Sequence, residues 1–223
     1  MKKKILFILI IAISSLYSKS NNEKINSLGI TNEIIKPSDE LLSLLEKNKN
    51  KTGVSEIIKL INEGGINASS KTEINIGDVV HYANSTPLMI ASSYNHYNIA
   101  KALIDNGALV NLRAGDGFNA LMEAVRTGNI EIAKLLIEHN SDINIKNKDG
   151  KNMIMIACEK GNEKMFNLLV ENNADINAKS SWGASALIYA SEKGNINIMK
   201  YLIDNGIDVN GKADDNGDTP LLW

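Results

Sequence analysis

Hydrophobic residues recur from about residue 38 with the spacing of short amphipathic helices, and the pattern itself returns every 33 residues. The segment TPLMIASSYNHYNIAKALIDNGALVN at 86–111 is followed by NALMEAVRTGNIEIAKLLIEHNSDIN at 119–144, and further copies lie at 152–177 and 185–210. Each copy has two apolar stripes, which predict two short helices that are each buried on one side. The first stripe contains an alanine, small enough for close helix contact, at Ala91, Ala124, Ala157 and Ala190.

The end of the second helix is marked in every copy by a residue that tolerates a left-handed backbone. Only glycine and asparagine occupy this slot, and both suit a helix C-cap. The four residues are Gly107, Asn140, Asn173 and Gly206. A turn glycine also stands before each following first helix, at Gly117, Gly150, Gly183 and Gly217. Helix pairs of this size cannot bury their apolar sides alone, so the pattern predicts an all-α solenoid of stacked copies.

The copies resemble the ankyrin repeat, most clearly in TPLMIA (86–91), AKALIDNGALVN (100–111) and DNGDTPLLW (215–223). The resemblance implies helix-turn-helix units joined by hairpin-like loops and stacked into a curved solenoid. It also implies binding of other proteins through the loop tips and the concave surface of the first helices, without catalysis. The expected organisation is an ankyrin repeat domain at 38–223, with an N-terminal capping repeat at 38–68, an enlarged loop at 69–84, full repeats at 85–117, 118–150, 151–183 and 184–217, and a truncated repeat at 218–223.

The sequence departs from the family pattern at two kinds of position. The Thr-Pro pair survives only at 86–87 and 219–220, whereas the middle copies begin with Asn119, Asn152 and Ser185, so we expect weaker N-caps there. The loop at 69–84 makes the spacing between the first two units about eleven residues longer than elsewhere. Insertions in repeat arrays project from one face and often carry function, so this loop is a candidate for it.

The N-terminal residues have the pattern of a secretory signal peptide. A basic start at 1–4 precedes an apolar run at 5–13, and small residues follow. The alternative is a membrane anchor, but the apolar segment is well short of the roughly 20 residues that span a bilayer. We therefore interpret residues 1–18 as a signal peptide and 19–37 as a flexible leader. The chain is expected to be an exported bacterial protein, periplasmic or secreted, without stable membrane insertion after cleavage.

The last residues, NGDTPLLW (216–223), have the pattern of the start of another repeat. Thr219 suits an N-cap and Pro220 a first helical position. We expect the chain to be a fragment of a longer product, with Leu187, Ile198 and Leu202 partly exposed at the open end of the stack. The alternative is a genuine stop, with the final residues folding back over that end.

Composition and charge narrow the range of partners. Removal of residues 1–18 would take three of the 24 basic residues and leave 26 acidic ones, a net charge of about −5. A mildly acidic chain without a basic tract argues against nucleic acid or an anionic membrane as partner.

Aromatic residues are 5% of the chain, so the core must consist mainly of aliphatic side chains. Cys158 is the single cysteine, which excludes an internal disulfide bond.

Several motifs that could indicate chemistry have simpler explanations. GDGFNA (115–120) fits a dinucleotide-binding turn, but its glycines fall in the repeated turn slot. His96 occupies a slot whose imidazole bonds loop backbone in the family, and His81 and His139 have no metal-ligand spacing to other His or Cys residues. Acidic residues at 214, 215 and 218 suit a solvated tip better than a calcium site. We predict no catalytic residue, no metal and no cofactor.

What remains is a surface for another protein, which we expect the chain to bind as a monomer. Aromatic and arginine side chains dominate protein interfaces, so those at tips and first-helix ends are the candidates. The candidate partner-binding residues are Trp182, Phe118, Arg113, Tyr94, Arg126 and Lys148. The alternative function is that of a regulatory or targeting module, with an effector or enzymatic domain beyond the truncated C-terminus.

Overall fold

A computed structural model describes residues 37–213 and 219–220. The predicted signal peptide at 1–18 and the leader up to residue 36 lie outside the described residues, as do 214–218 and 221–223. Within the described part, ten α-helices and one two-stranded antiparallel sheet account for the regular secondary structure. The helices form five consecutive pairs, as the hydrophobic pattern predicts.

The first helices of successive pairs contact one another, and so do the second helices from α4 onward. This arrangement confirms the predicted all-α solenoid. The N-terminal pair packs differently, because α1 contacts α4 and α2 contacts α3. The pairs are α1 (Asp39–Lys47) with α2 (Val54–Gly64), α3 (Pro87–Ser93) with α4 (Tyr97–Asp105), α5 (Ala120–Thr127) with α6 (Ile130–Glu138), α7 (Met153–Lys160) with α8 (Glu163–Glu171), and α9 (Ala186–Glu192) with α10 (Ile196–Asp204).

One continuous apolar core runs through the stack. The four repeated alanines are fully buried in the first helices, where α3, α5, α7 and α9 contact their neighbours. A larger side chain would hold those helices apart, which explains the residue type. The predicted register is therefore confirmed.

The second helices end in the conformation that the Gly and Asn slot predicts. Asn140 and Asn173 both have φ of 61°, and Gly107 and Gly206 have φ of 91° and 81°. Their N–H groups donate to carbonyls of the last helical turn, for example from Asn140 to Ile137 at 3.0 Å. The left-handed residue thus satisfies carbonyls that the end of the helix would leave free.

The expectation of weaker N-caps in the middle repeats is wrong for Asn119 and Asn152, because both side chains form cap hydrogen bonds. Asn119 Oδ1 accepts a hydrogen bond from the Met122 N–H at 2.9 Å, and Asn152 Oδ1 accepts one from Met155 at 3.1 Å. The asparagine amide also donates, so Asn152 Nδ2 bonds the Asp175 carbonyl at 2.6 Å. Asparagine is as effective an N-cap as threonine, and its amide group also donates a hydrogen bond to the next loop. Ser185 alone among these residues makes no side-chain cap hydrogen bond within the described part.

Replacement of these caps should separate their contributions. Asn152→Ala removes an N-cap and a loop bond, and should lower the free energy of unfolding by about 1–2 kcal/mol. Ser185→Ala is the matched control and should change it by no more than about 0.5 kcal/mol, because no cap bond is lost. Urea denaturation followed by circular dichroism measures both. Equal losses from the two variants would contradict the assignment of the cap.

The C-terminal end of the stack also differs from expectation. Leu187, Ile198 and Leu202 are fully buried, so their predicted exposure is wrong. They lie in α9 and α10, which contact each other and, respectively, α7 and α8 of the preceding repeat. The exposed large hydrophobic side chains of α10 are Ile196, Tyr201 and Ile203.

The enlarged loop at 69–84 contains the sheet. Strand β1 (Ile74–Ile76) pairs antiparallel with β2 (Val79–His81), with Ile76 opposite Val79 across a two-residue Gly-Asp turn. We call residues 74–83, which comprise the two strands, the turn between them and the two residues after β2, the hairpin. The Tyr94 hydroxyl donates to the Ile76 carbonyl at 2.9 Å, and the Gly115 N–H donates to the Ala83 carbonyl at 2.6 Å. The hairpin is thereby fixed to α3 on one side and to the next loop tip on the other.

Candidate protein-binding surface

A groove of about 430 Å³ lies between the hairpin, two loop tips and the first helices α5 and α7. We call it the hairpin groove. Val80 and Tyr82 lie on its hairpin side, and both side chains are about half exposed. Apolar lining also comes from Phe118 and Ile156. The charged residues that line it are Asp116, Glu123, Arg126, Lys148, Asp149, Lys151, Glu159 and Lys160.

An ion pair between a buried carboxylate and a half-buried arginine lies in this groove on α5. Glu123 occupies the slot that holds Ile90, Ile156 and Tyr189 in the other repeats. Its Oε2 accepts from Arg126 Nη2 at 2.6 Å and from Nε at 3.1 Å. Burial raises the pKa of the Glu123 carboxyl, while the guanidinium opposes that rise. Arg126 also donates to Ser93 Oγ at 3.3 Å, so the pair links α5 to α3.

A second ion pair lies on the neighbouring repeat. Lys151 Nζ donates to Glu159 Oε2 at 2.7 Å and lies 4.7 Å from the centre of the Tyr189 ring. Burial alone would lower the pKa of the Lys151 ammonium, but the bond to Glu159 and nearby negative groups outweigh it and raise that pKa. Both pairs hold charged side chains in fixed positions along the groove.

His81, the last residue of β2, is buried beside Tyr94, the C-cap residue of α3. Its ring is 1% exposed, and neither ring nitrogen has a hydrogen-bond partner among the described residues. The ring centre lies 5.6 Å from that of Tyr94. Burial, and secondly the positive charge of Arg126, lower the pKa of His81 to about 4. The imidazole is therefore neutral at pH 7.

Comparison with known families identifies the fold. Residues 47–147, 106–180 and 154–223 each match the family described as ankyrin repeats (3 copies), and together the matches cover 47–223. The chain belongs to the ankyrin repeat family. Ankyrin repeats are typically protein–protein interaction modules without catalysis, so the groove and the tips are the surfaces to consider for a protein partner. No curated protein matches the chain closely enough to count as a relative.

The ankyrin array brings three of the predicted partner-binding residues to the groove. These are Phe118, Arg126 and Lys148. Lys148 is exposed at a tip, whereas Arg126 is half-buried in its ion pair. Phe118 is only 9% exposed, so little of its side chain is available to anchor a partner. Its slot lies directly before the first helix and faces the stack, as the buried Ala184 in the same slot also does.

The other three predicted residues lie outside the groove lining. Trp182 is 55% exposed at the tip before α9. Arg113 is exposed, but its guanidinium donates to the carbonyls of Gly117 and Lys146 and so joins successive tips. Tyr94 is half-buried and its hydroxyl is occupied by the hairpin. Their role in binding a partner stays a prediction.

Sequence reasoning missed the hairpin side of the groove and its buried acid. Val80 and Tyr82 were not singled out, although INIGDVVH (74–81) has the alternation and the two-residue turn of a hairpin. Glu123 was also missed, although a glutamate in a slot that is otherwise apolar or aromatic is a visible signal. Both would have directed attention to this face of the array.

The cysteine and histidine side chains considered above for catalysis or metal binding are buried or bonded to backbone. Cys158 is buried, and burial raises its thiol pKa to about 12. His96 Nε2 lies 2.7 Å from the Thr52 carbonyl, the loop-backbone bond that its slot predicts. In the described part, no group of three or more His, Cys, Asp or Glu residues could hold a metal ion. The predicted acidic tip at 214, 215 and 218 lies outside the described residues.

No helix in the described part of this ankyrin repeat protein has both the length and the hydrophobicity needed to cross a bilayer.

Proposed function

We propose that the chain is an exported, non-enzymatic and monomeric binding module that captures a partner protein in the hairpin groove and along the adjacent tips. The observation that carries the proposal is the hairpin itself. It adds a side with exposed Val80 and Tyr82 to the concave face that ankyrin repeats commonly use. A groove with apolar and charged lining suits a segment of another protein better than a flat surface would.

Rigidity supports the same function. Successive repeats are joined by asparagine side chains, because Asn111 Oδ1 accepts from the Asp142 N–H at 2.8 Å and Asn144 Oδ1 accepts from Asp175 at 2.9 Å. The two ion pairs fix long side chains in the groove before any partner arrives. Little ordering entropy is then lost on binding, which leaves more of the contact free energy for affinity.

The test uses affinity purification of the full chain from its native source, followed by mass spectrometry. Tyr82→Ala should reduce recovery of the specific partner by about tenfold or more, because aromatic side chains at groove edges are frequent hot spots. Tyr97→Ala is the matched control. Tyr97 is a tyrosine of similar exposure on α4, 40% against 44% for Tyr82, and lies outside the groove. Trp182→Ala tests the tip anchor in the same assay.

Recovery from Tyr82→Ala that equals recovery from Tyr97→Ala would overturn the groove as the binding site. Export is checked separately, by cell fractionation and by sequencing the N-terminus of the mature protein. A protein that retains residues 1–18 in the cytoplasm would contradict export without affecting the binding site.

A further inference from the structure

The loop tips of three successive repeats carry a row of exposed cations that have no carboxylate partner among the residues that the structure describes. We call Arg113, Lys146, Lys148 and Lys179 the tip row. Arg113, Lys146 and Lys179 occupy the same slot in successive repeats, 33 residues apart, and Lys148 lies two positions after the middle one. None of the four forms an ion pair in the described part of the chain.

Two members of the row are held in place by neutral acceptors. The Arg113 guanidinium donates to the Lys146 carbonyl, and Lys146 Nζ donates to the Lys179 carbonyl at 2.9 Å. A carbonyl oxygen orients a cation without cancelling its charge. The side chains therefore lose part of their conformational freedom in advance, yet the positive charges stay available to a partner.

The tips have a net positive charge, whereas the second helices have a net negative charge. The tips at 112–118, 145–151 and 178–184 contain five basic and two acidic residues. Both acids serve their own turns, since Asp116 Oδ1 accepts from the Phe118 N–H and Asp149 Oδ2 from Asn147 Nδ2. The second helices α4, α6, α8 and α10 contain four basic and six acidic residues. The row ends at Lys179, because Lys212 in the next tip is followed by Asp214 and Asp215.

We propose that the tip row binds an acidic, extended segment of the partner protein. This inference rests on the proposed function and names the chemistry of the partner. Side-by-side helices lie about 8–10 Å apart, so cations in the same slot of successive repeats have about that spacing. An extended chain in the polyproline II conformation has three residues per turn and rises about 3.1 Å per residue, so acidic side chains at every third residue lie on one face about 9 Å apart and match the row. The partner segment crosses the repeats at the tips, beside the hairpin groove.

The binding test uses a fluorescent synthetic peptide with glutamate at every third position and serine and glycine between. Its control is the same peptide with glutamine in place of glutamate. Fluorescence anisotropy with the full chain at low salt should show binding of the glutamate peptide, and that binding should weaken as salt is added. Absence of binding to the glutamate peptide, or equal binding of the glutamine peptide, would overturn the inference.

Two triple variants with the same loss of charge locate the site. Lys146→Gln, Lys148→Gln and Lys179→Gln together should weaken binding by about tenfold, since each removes one exposed charge contact. The matched control is Lys134→Gln, Lys164→Gln and Lys200→Gln, on the exposed surfaces of α6, α8 and α10. It should change binding by less than about twofold. Equal weakening in the two triple variants would show that only the net charge matters, and would overturn the tip row.

A single-stranded oligothymidine of similar length separates an acidic protein from nucleic acid. Binding of this probe tighter than the glutamate peptide, and lost in the tip variant, would replace the proposal with a nucleic-acid site. Failure of the inference is also distinguishable from failure of the proposed function. If the tip variant retains the native partner while Tyr82→Ala loses it, the groove binds the partner and the row does not.

Discussion

Replacement of Gly150 by alanine should be among the most destabilising substitutions of a surface loop, with a loss of about 2–4 kcal/mol in the free energy of unfolding. Gly150 has φ of 73°, and a Cβ atom there would lie 2.4 Å from the backbone nitrogen of Ser181. That nitrogen belongs to the next tip and donates to the Asp149 carbonyl at 2.9 Å. The methyl group would push the two tips apart and break the bond between them.

Gly194→Ala provides the matched control. Gly194 has φ of 65°, so its left-handed backbone is as unfavourable for alanine, but nothing lies within 4 Å of the added Cβ. The expected loss is about 1 kcal/mol, which is the cost of the backbone conformation alone. Urea midpoints of the two variants measure the difference. Equal midpoints would show that the tips are not in close contact at Gly150.

The second large effect is a loosening of the hairpin in mild acid. The pKa of His81 is lowered to about 4 from an ordinary value of 6.5, so the closed hairpin favours the neutral ring. Its stabilisation is complete above pH 6.5 and is lost as the pH falls from there toward 4. At pH 5 the free energy of opening should have fallen by about 2 kcal/mol. The charged and titratable groups that face the ring are Arg126 and Tyr94.

Hydrogen exchange of residues 74–85 at pH 7 and pH 5, corrected for the intrinsic dependence of exchange on pH, measures this opening. Exchange in the wild-type hairpin should accelerate at pH 5 relative to that correction. His81→Phe keeps a ring beside Tyr94 and cannot be protonated, so its protection should be the same at both pH values. A wild-type hairpin that stays equally protected at pH 5 would contradict the role of His81.

The repeated features of this fold could be predicted because the residues that determine each feature recur in every copy of the repeat. The left-handed slot at Asn140 and Asn173 depends on the end of one helix, and the alanine slot depends on contact with the same helix of the next copy. The 33-residue period confirms the register of both. The N-caps were misjudged for a local reason. Asn119 was expected to cap less well because the family pattern has threonine at this position. In fact Thr86 and Asn119 accept a hydrogen bond from the equivalent N–H group, three residues further along each helix.

The features that occur once were harder to predict. The hairpin groove depends on residues from three separate parts of the chain, such as Tyr82, Glu123 and Lys148, and no spacing rule relates them. The burial of Phe118 depends on which way one slot faces in the assembled stack. The burial of His81 was also hard to predict, because it follows from the position of β2 beside Tyr94 and not from the sequence neighbours of His81.

The hairpin is attached to the helical stack from its edges, through Tyr94 and Gly115, while Asn75 and Val80 point outward and are exposed. Scaffold and variable surface are thus physically separate within one short insertion. A library randomised at such outward positions would alter the rim of the cleft and leave every helix interface untouched. The specificity of binding could then be changed through exposed loop residues, as it is in antibodies, while the melting temperature of the helical framework stays constant.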